Sequence, residues 1–163
     1  MAEPAGGTVY LCVVDSERMA VSFIQSLFDS FGAGIAAPGT GIVLHNRGAC
    51  FAVEGGVTPG ARPYHTIIPG MLLRDGALLG PFGIMGGFLQ AQAHAQFVSA
   101  VVDDGLDPQA ALDRPRFRVD GDAVAREAPD GFDPGFGGGQ AILVHGDALV
   151  GGSDNRKDGI AAG

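Results

Sequence analysis

Two runs near the start of the chain have the composition of β-strands. The first, residues 8–15, is rich in β-branched and aromatic residues and begins with Thr8 directly after Gly6 and Gly7. The second, residues 19–27, follows the polar turn 16–18. Because short connections usually join antiparallel neighbours, the pattern predicts a hairpin with the two strands side by side.

The rest of the chain predicts one long helix between further strands. Apolar residues recur at four-residue steps and indicate an amphipathic helix over 88–104; they are Leu89, Ala93, Phe97 and Val101. A helical turn is predicted over 108–112. Further strands are predicted over 42–44 (short and buried), 66–73, 77–79, 117–119, 123–126, 140–144 and 148–150, with loops over 28–41, 54–63 and 127–139. This order predicts an α+β fold with a mostly antiparallel sheet.

Composition narrows the class of protein. The chain has 163 residues, of which 46% are hydrophobic and 17% charged, values typical of one globular domain. Its net charge of −8 and the lack of a basic stripe argue against nucleic acid or an anionic membrane as a partner. No apolar run approaches the roughly 18 residues of a membrane span.

Cysteines, histidines and glycine motifs give no sign of a cofactor. Cys12 and Cys50 are too few for a disulfide scaffold, and we expect both to be reduced. His45, His94 and His145 lack ligand partners at metal spacing, and no phosphate loop or dinucleotide fingerprint occurs. We therefore expect neither metal nor cofactor. Residues 1–7 lack the pattern of a signal peptide, which favours the cytoplasm; a signal further upstream would allow a periplasmic or secreted protein.

Thr8 is the residue whose position bears on chemistry. A threonine at the head of a strand is usually only a strand former. If the Gly7–Thr8 bond is cleaved, however, the α-amine of Thr8 can take the proton from its own hydroxyl, so nucleophile and base come from one residue. Both readings stay open on this stretch alone.

Gly86 and Gly87 directly precede the long predicted helix. The first N–H groups of a helix lack internal partners and lie at the positive end of its dipole. Two glycines let this backbone approach a substrate closely, so the pair is a candidate oxyanion hole; the alternative is a plain strand-to-helix turn.

Several weak motifs occur in an order that is informative as a whole. Besides the Thr8 strand they are Phe31-Gly32-Ala33-Gly34-Ile35, Pro38-Gly39-Thr40-Gly41-Ile42, Arg62-Pro63-Tyr64-His65-Thr66 with Pro69, Gly83-Ile84-Met85-Gly86-Gly87, Ala111 with Arg114-Pro115-Arg116-Phe117, and Ser153-Asp154 through Gly159. In this order and spacing the chain resembles the small catalytic subunit of the γ-glutamyltransferase family, among the N-terminal-nucleophile hydrolases.

The resemblance implies an architecture and a partner. It implies half of a four-layer α-β-β-α sandwich, completed by a large subunit from the same precursor. Residues 1–7 would be a residual leader before the processing site, and residues 8–163 the catalytic domain. The family's extra helix near 125–135 has no counterpart of full length here.

The resemblance also assigns roles at the catalytic end. Thr8 would be the nucleophile, Ser26 would stand where the family has a Thr beside it, and Gly86 with Gly87 would form the oxyanion hole. His65 and Thr66 would stand where two serines contact the substrate's α-carboxylate. By itself Ser26 could equally be an ordinary strand residue.

The substrate end departs from the family pattern. Phe28, Arg47 and Cys50 stand where the resemblance places an Asn, a Gln and an Asp that hold the γ-glutamyl α-ammonium and α-carboxylate. Two polar partners for an ammonium are thus replaced and a cation is introduced. We expect an acyl group other than an ordinary γ-glutamyl one, with an anionic tail near Arg47.

Three functions remain open. The leading one is cleavage or transfer of an acyl group from a small-molecule amide through an acyl-Thr8 intermediate, with hydrolysis favoured. A glutaryl or other side-chain acylase of the same fold is the close alternative. If Thr8 is never exposed by cleavage, the chain would instead be a non-catalytic assembly subunit.

Overall fold

The computed structural model describes residues 6–51, 57–129 and 131–163. Its strands are β1 (Gly6–Val14), β2 (Ala20–Asp29), β3 (Gly70–Arg74), β4 (Ala77–Met85), β5 (Phe117–Asp120), β6 (Ala123–Arg126), β7 (Gly138–His145) and β8 (Ala148–Ser153). Its α-helices are α1 (Gln90–Val102) and α2 (Pro108–Asp113). Single 3₁₀ turns cover Arg47–Cys50, Gly87–Leu89 and Pro134–Phe136. None of the helices within these ranges is long and apolar enough to cross a membrane.

The strands form three antiparallel groups. The predicted first hairpin is present as β1–β2, a four-stranded sheet has the order β3-β4-β7-β8, and β5–β6 form a small ribbon. In the first hairpin the register pairs Thr8 with Ser26, and a bulge lies between Gly6 and Thr8. The α+β class and the antiparallel pairing are therefore confirmed.

The β1–β2 hairpin packs face to face on the four-stranded sheet. Tyr10 is buried between them, and its ring lies so close to Gly83 of β4 that a Cβ there would be 2.4 Å from a ring carbon. Neighbouring β4 residues point the other way, toward α1 and α2, because side chains alternate along a strand. The main core lies on this second side and includes Phe82, Ile84, Leu89, Phe97 and Leu112.

The outer face of β1–β2 is apolar and open. Val9, Leu11, Val13, Val21 and Phe23 alternate with the inward residues and are each about half exposed. The described part of the chain thus supplies an α layer and two β layers of the sandwich, and no described helix covers this outer face.

A charged cluster is buried where α2, β8 and the segment after β6 meet. Asp154 accepts hydrogen bonds from Arg116 and Arg156, and Glu127 accepts from Arg156 and from the backbone N–H of Arg116. All four side chains are almost fully buried. The two cations and two anions balance, which fixes the start of the C-terminal segment against the core.

Several element predictions need correction. Residues 42–44 are not a buried strand: Ile42 is 62% exposed, and the segment pairs with Ala36 through an isolated bridge at Val43, outside the sheets. The strand predicted over 66–73 begins only at Gly70, since Pro69 has no N–H for a ladder.

The α-helix begins at Gln90, after the 3₁₀ turn, and ends at Val102 rather than 104. Strand β4 runs to Met85, six residues beyond its predicted end. Strand β7 begins at Gly138, inside the predicted loop 127–139. Of the predicted loop 54–63, residues 54–56 lie outside the described residues, and residues 1–5 of the predicted leader do too. Gly6 and Gly7 already belong to β1.

Candidate active site

The centre of the site is a pair of hydroxyls on neighbouring strands. Because the register places Thr8 opposite Ser26 on the inward face of the hairpin, their oxygens meet at 2.8 Å. Both side chains are half-buried. The structure therefore brings the proposed nucleophile into hydrogen-bond contact with the hydroxyl predicted to lie beside it.

The 3₁₀ turn that carries Arg47 is tied to the end of β2. Asn46 donates its backbone N–H to the Leu27 carbonyl, and its side chain both donates to the Asp29 carboxylate and accepts from the Asp29 backbone N–H. These bonds place Arg47 directly beside Ser26. A loop some twenty residues further along the chain thus places a cation beside the Thr8–Ser26 hydroxyl pair.

Arg47 is buried among neutral partners. Its Nη1 donates to Thr66 Oγ1 at 2.6 Å and its Nη2 donates to Ser26 Oγ at 3.0 Å. Its guanidinium carbon lies 4.6 Å from the centre of the Phe28 ring. The residue is only 4% exposed, and among the described residues it forms no ion pair. A buried cation without a protein anion favours a negatively charged ligand.

Thr66 and His65 occupy different environments although they are adjacent. Thr66 is buried, 5% exposed, and its hydroxyl accepts from Arg47. His65 is exposed, and its Nδ1 accepts from the Ile67 backbone N–H at 3.3 Å. Desolvation, together with the positive charge of Arg47, lowers the pKa of His65. In this structure Thr66 reaches the site through Arg47, and His65 lies at its surface.

Phe28 and Cys50 complete the predicted substrate end. Phe28 has φ 76°, a left-handed conformation that is rare for a bulky residue, and its backbone N–H donates to Ser26 Oγ at 3.0 Å. Cys50 closes the turn that Arg47 opens, and its thiol is free and half-buried. The site therefore offers an ammonium group an aromatic ring and a thiol, with a cation beside them.

Gly86 and Gly87 connect β4 to α1 in the predicted place. Gly87 has φ 58°, which favours glycine, and a Cβ on Gly86 would be 3.1 Å from the Cα of Gly137. Met85, the residue before them, borders the same cavity of about 770 Å³ as Thr8, along with Gln140 and Lys157. The two glycines thus follow a residue that lines the same cavity as Thr8.

Two aromatic residues at the site were not predicted from sequence. Phe88, directly after the glycines, packs edge-on against Phe28 with ring centres 6.4 Å apart, and it stacks on Tyr64 at 6.0 Å. These contacts join the glycine turn to the Arg47 side of the site. The only sequence signal was their position, Phe88 next to Gly87 and Tyr64 next to His65.

The described residues contain no group of three His, Cys, Asp or Glu side chains that could hold a metal ion. What the site does contain is a hydroxyl pair, a buried cation and a glycine turn at a helix start. These groups are suited to nucleophilic attack and to stabilising negative charge.

Comparison with solved structures defines the class of fold. The chain is similar to γ-glutamyltranspeptidase from Pseudomonas nitroreducens complexed with L-DON, with a TM-score of 0.83, 23% identity and coverage of 94% of this chain and 97% of that one. It is also similar to cephalosporin acylase from Bacillus halodurans, with a TM-score of 0.86, 38% identity and coverage of 99% of this chain and 36% of that one. The fold is that of the N-terminal-nucleophile hydrolases.

Sequence comparison gives the family. A family model described as Gamma-glutamyltranspeptidase matches residues 1–128, so the chain belongs to the γ-glutamyltranspeptidase family.

Two curated relatives match nearly the whole chain. The glutathione hydrolase-like YwrD proenzyme of Bacillus subtilis (strain 168) is 33% identical over 99% of this chain, and the oxamate amidohydrolase proenzyme of Klebsiella pneumoniae is 34% identical over 97%. The chain spans 37% and 36% of the length of these two relatives.

Proposed function

We propose that this chain is the small, catalytic part of an amide-cleaving enzyme in which Thr8 is the nucleophile, freed by cleavage of the Gly7–Thr8 bond. The observation that carries the proposal is the 2.8 Å contact between Thr8 Oγ1 and Ser26 Oγ, at the start of a strand packed on the second sheet. Family membership supports it, since two relatives are named as proenzymes.

Acylation would use groups of Thr8 itself and the glycine turn. The α-amine takes the proton of the Thr8 hydroxyl while the oxygen attacks the amide carbon. Backbone N–H groups of Gly86 and Gly87 stabilise the oxyanion that forms. The carbon–nitrogen bond then breaks, and the leaving amine takes the proton from the Thr8 ammonium.

Deacylation would return the enzyme to its starting state. Water gives a proton to the α-amine and attacks the ester carbon, and the bond to Thr8 Oγ breaks. That oxygen regains its proton from the ammonium, and the acid product leaves. We favour hydrolysis over transfer, because the relatives that match nearly the whole chain at 33–38% identity are named as a glutathione hydrolase-like protein, an amidohydrolase and an acylase.

The acyl donor would carry a carboxylate and no α-ammonium. Arg47 is buried without a protein anion in the described ranges, so an anion from the substrate would relieve the cost of its burial, whereas an ammonium would be repelled. Phe28 and Cys50 supply no strong acceptor for an ammonium. A glutaryl amide fits these requirements better than a γ-glutamyl amide, and a relative named for oxamate acts on another carboxylate-bearing amide.

The partner would be a large subunit from the same precursor. The outer face of β1–β2 is apolar, lies behind the nucleophile's strand and is open in the described chain. Covering it with a further α layer would complete the four-layer sandwich and bury apolar area at about 25 cal/mol per Å².

The test is expression of the precursor with its upstream segment as wild type, Thr8→Ala, Thr8→Ser and the exposed-turn control Thr40→Ala. Intact mass should show a chain that starts at residue 8 in the wild type, in the Ser variant and in the control, and no cut in Thr8→Ala. Amide hydrolysis should follow the cut. An uncut yet active wild type would refute the mechanism, and an uncut, inactive wild type would favour the assembly-subunit alternative.

A further inference from the structure

The Ser26 hydroxyl has three polar neighbours, and their chemistry fixes where its hydrogen points. Phe28 donates a backbone N–H at 3.0 Å and Arg47 donates Nη2 at 3.0 Å, and neither group can accept. A hydroxyl has two lone pairs and one hydrogen, so these donors use its accepting capacity. The hydrogen of Ser26 is left for its third neighbour, Thr8 Oγ1, at 2.8 Å.

The direction of this bond matters because Thr8 Oγ1 is then the acceptor. Its own hydrogen points away from Ser26 and is available to the α-amine of a processed chain. The oxygen that attacks the substrate would therefore keep one donor in place throughout the reaction. In a threonine–serine pair without the N–H donors of Phe28 and Arg47, the hydrogen bond between the hydroxyls could run in either direction.

Arg47 donates to the neutral Ser26 hydroxyl and pairs with no protein anion among the described residues. Thr66 Oγ1 accepts from its Nη1 at 2.6 Å, and the Phe28 ring lies over its guanidinium, so the side chain is held from two sides. The guanidinium carries its charge in a buried setting, where hydrogen bonds from charged donors are stronger than neutral ones.

We infer that Arg47 is a positioning residue for the nucleophile: it acts through Ser26, fixing and polarising the hydroxyl that donates to Thr8 Oγ1. The inference rests on the proposed role of Thr8. It adds to the proposed function, because Arg47 then takes part in the chemical step as well as in any contact with the carboxylate of the acyl donor.

The hydrogen bond from Ser26 should stabilise the states in which Thr8 Oγ1 carries negative charge. During acylation the charge develops as the hydroxyl proton moves to the α-amine and the oxygen–carbon bond forms. During deacylation it develops again, as the ester carbon–oxygen bond breaks and its electron pair returns to the oxygen. Donation from Ser26 stabilises both states, so loss of Arg47 should lower kcat for any donor.

A double-mutant cycle separates this role from substrate binding. Arg47→Gln, Ser26→Ala and the double variant are made in the full precursor, and rates are expressed per mole of chain that starts at Thr8. The two donors are glutaryl p-nitroanilide and pentanoyl p-nitroanilide, which have the same acyl length with and without a carboxylate. Arg114 is an exposed arginine whose side chain pairs with Asp104, so Arg114→Gln is the matched control and should leave kcat unchanged.

We expect Arg47→Gln to lower kcat about 10- to 100-fold on both donors, with KM for the neutral donor almost unchanged. In the Ser26→Ala background the same change should cost less than about twofold, because the group it acts through is gone. Arg47→Lys should recover part of the loss, and it serves in the cycle if Arg47→Gln does not fold.

Three outcomes overturn the inference. A loss confined to the glutaryl donor would show that Arg47 acts on the substrate's carboxylate. A loss that is fully additive with Ser26→Ala would show that Arg47 does not act through Ser26, and in both cases the proposed function would stand. Turnover that survives Thr8→Ala would overturn the inference and the proposed function together.

Discussion

The buried charged cluster gives a sharp test of how burial sets the strength of an ion pair. Asp154 accepts from Arg116 Nη2 at 2.5 Å, from Gly139 N at 3.1 Å, and from both Nη1 and the backbone N of Arg156 at 3.0 Å. Replacing it with Asn removes one anion from a cluster of two cations and two anions. A net positive charge then remains in a site that water does not reach.

The expected loss follows from that uncompensated charge. Breaking a buried pair by removing one partner costs about 3–5 kcal/mol of unfolding free energy. The chain contains a matched exposed pair, Arg114 with Asp104, also at 2.5 Å but with side chains 47% and 45% exposed. Asp104→Asn should cost about 1 kcal/mol or less, since water solvates the arginine that is left.

The assay is urea unfolding of the assembled enzyme, followed by circular dichroism, for wild type and both variants. The midpoint should fall far more for Asp154→Asn than for Asp104→Asn, with the slope unchanged. Equal, small shifts for the two variants would refute the reasoning, because they would mean that the Asp154 cluster is solvated or that its charges rearrange freely.

Three further predictions concern specificity, packing and pH. A glutaryl anilide should exceed the matching γ-glutamyl anilide about 10²- to 10³-fold in kcat/KM, because an unpaired buried ammonium beside Arg47 costs several kcal/mol; a strong preference for the γ-glutamyl donor would show that other residues hold the amine. Gly83→Ala should lower thermal stability by about 1–3 kcal/mol, since the new methyl overlaps the Tyr10 ring; an unchanged Tm would contradict this packing. Burial lowers the pKa of His94 from 6.5 to about 4. The unfolded chain therefore binds this proton first, and stability that is full above pH 6.5 should fall by about 3 kcal/mol on acidification to pH 4; a His94→Gln variant with the same pH slope would disprove the assignment.

Sequence pattern was sufficient for the hairpin that carries Thr8. Strand-forming composition and a short turn predicted β1 and β2, and the register of the pair brings Thr8 to Ser26. The pattern failed where glycine and proline occupy strand interiors. Gly80 and Pro81 hid most of β4, because their low strand propensity says nothing of the close approach of Gly80 to the backbone of β7.

The contacts around Arg47 could not be predicted from the chain alone. Ser26, Arg47 and Thr66 come from separate segments, and their hydrogen bonds depend on how the Asn46 turn docks on β2. The resemblance placed Ser26 beside the nucleophile and assigned Arg47 and Thr66 to the substrate. Their bonds to one another, and the stacking of Phe88 on Tyr64, follow only from the three-dimensional arrangement.

The left-handed backbone of Phe28 has a consequence for how specificity can change in this site. At φ 76° asparagine and glycine are tolerated best, whereas a bulky side chain costs about 1–2 kcal/mol. The resemblance places an asparagine at this position. Replacing asparagine by phenylalanine therefore works against the local backbone, and the ring's contacts with Arg47 and Phe88 offset this cost. The reverse step, Phe28→Asn, is favoured by the backbone. On a mutational path toward ammonium recognition, the change in free energy would therefore be favourable at this residue and unfavourable at Arg47.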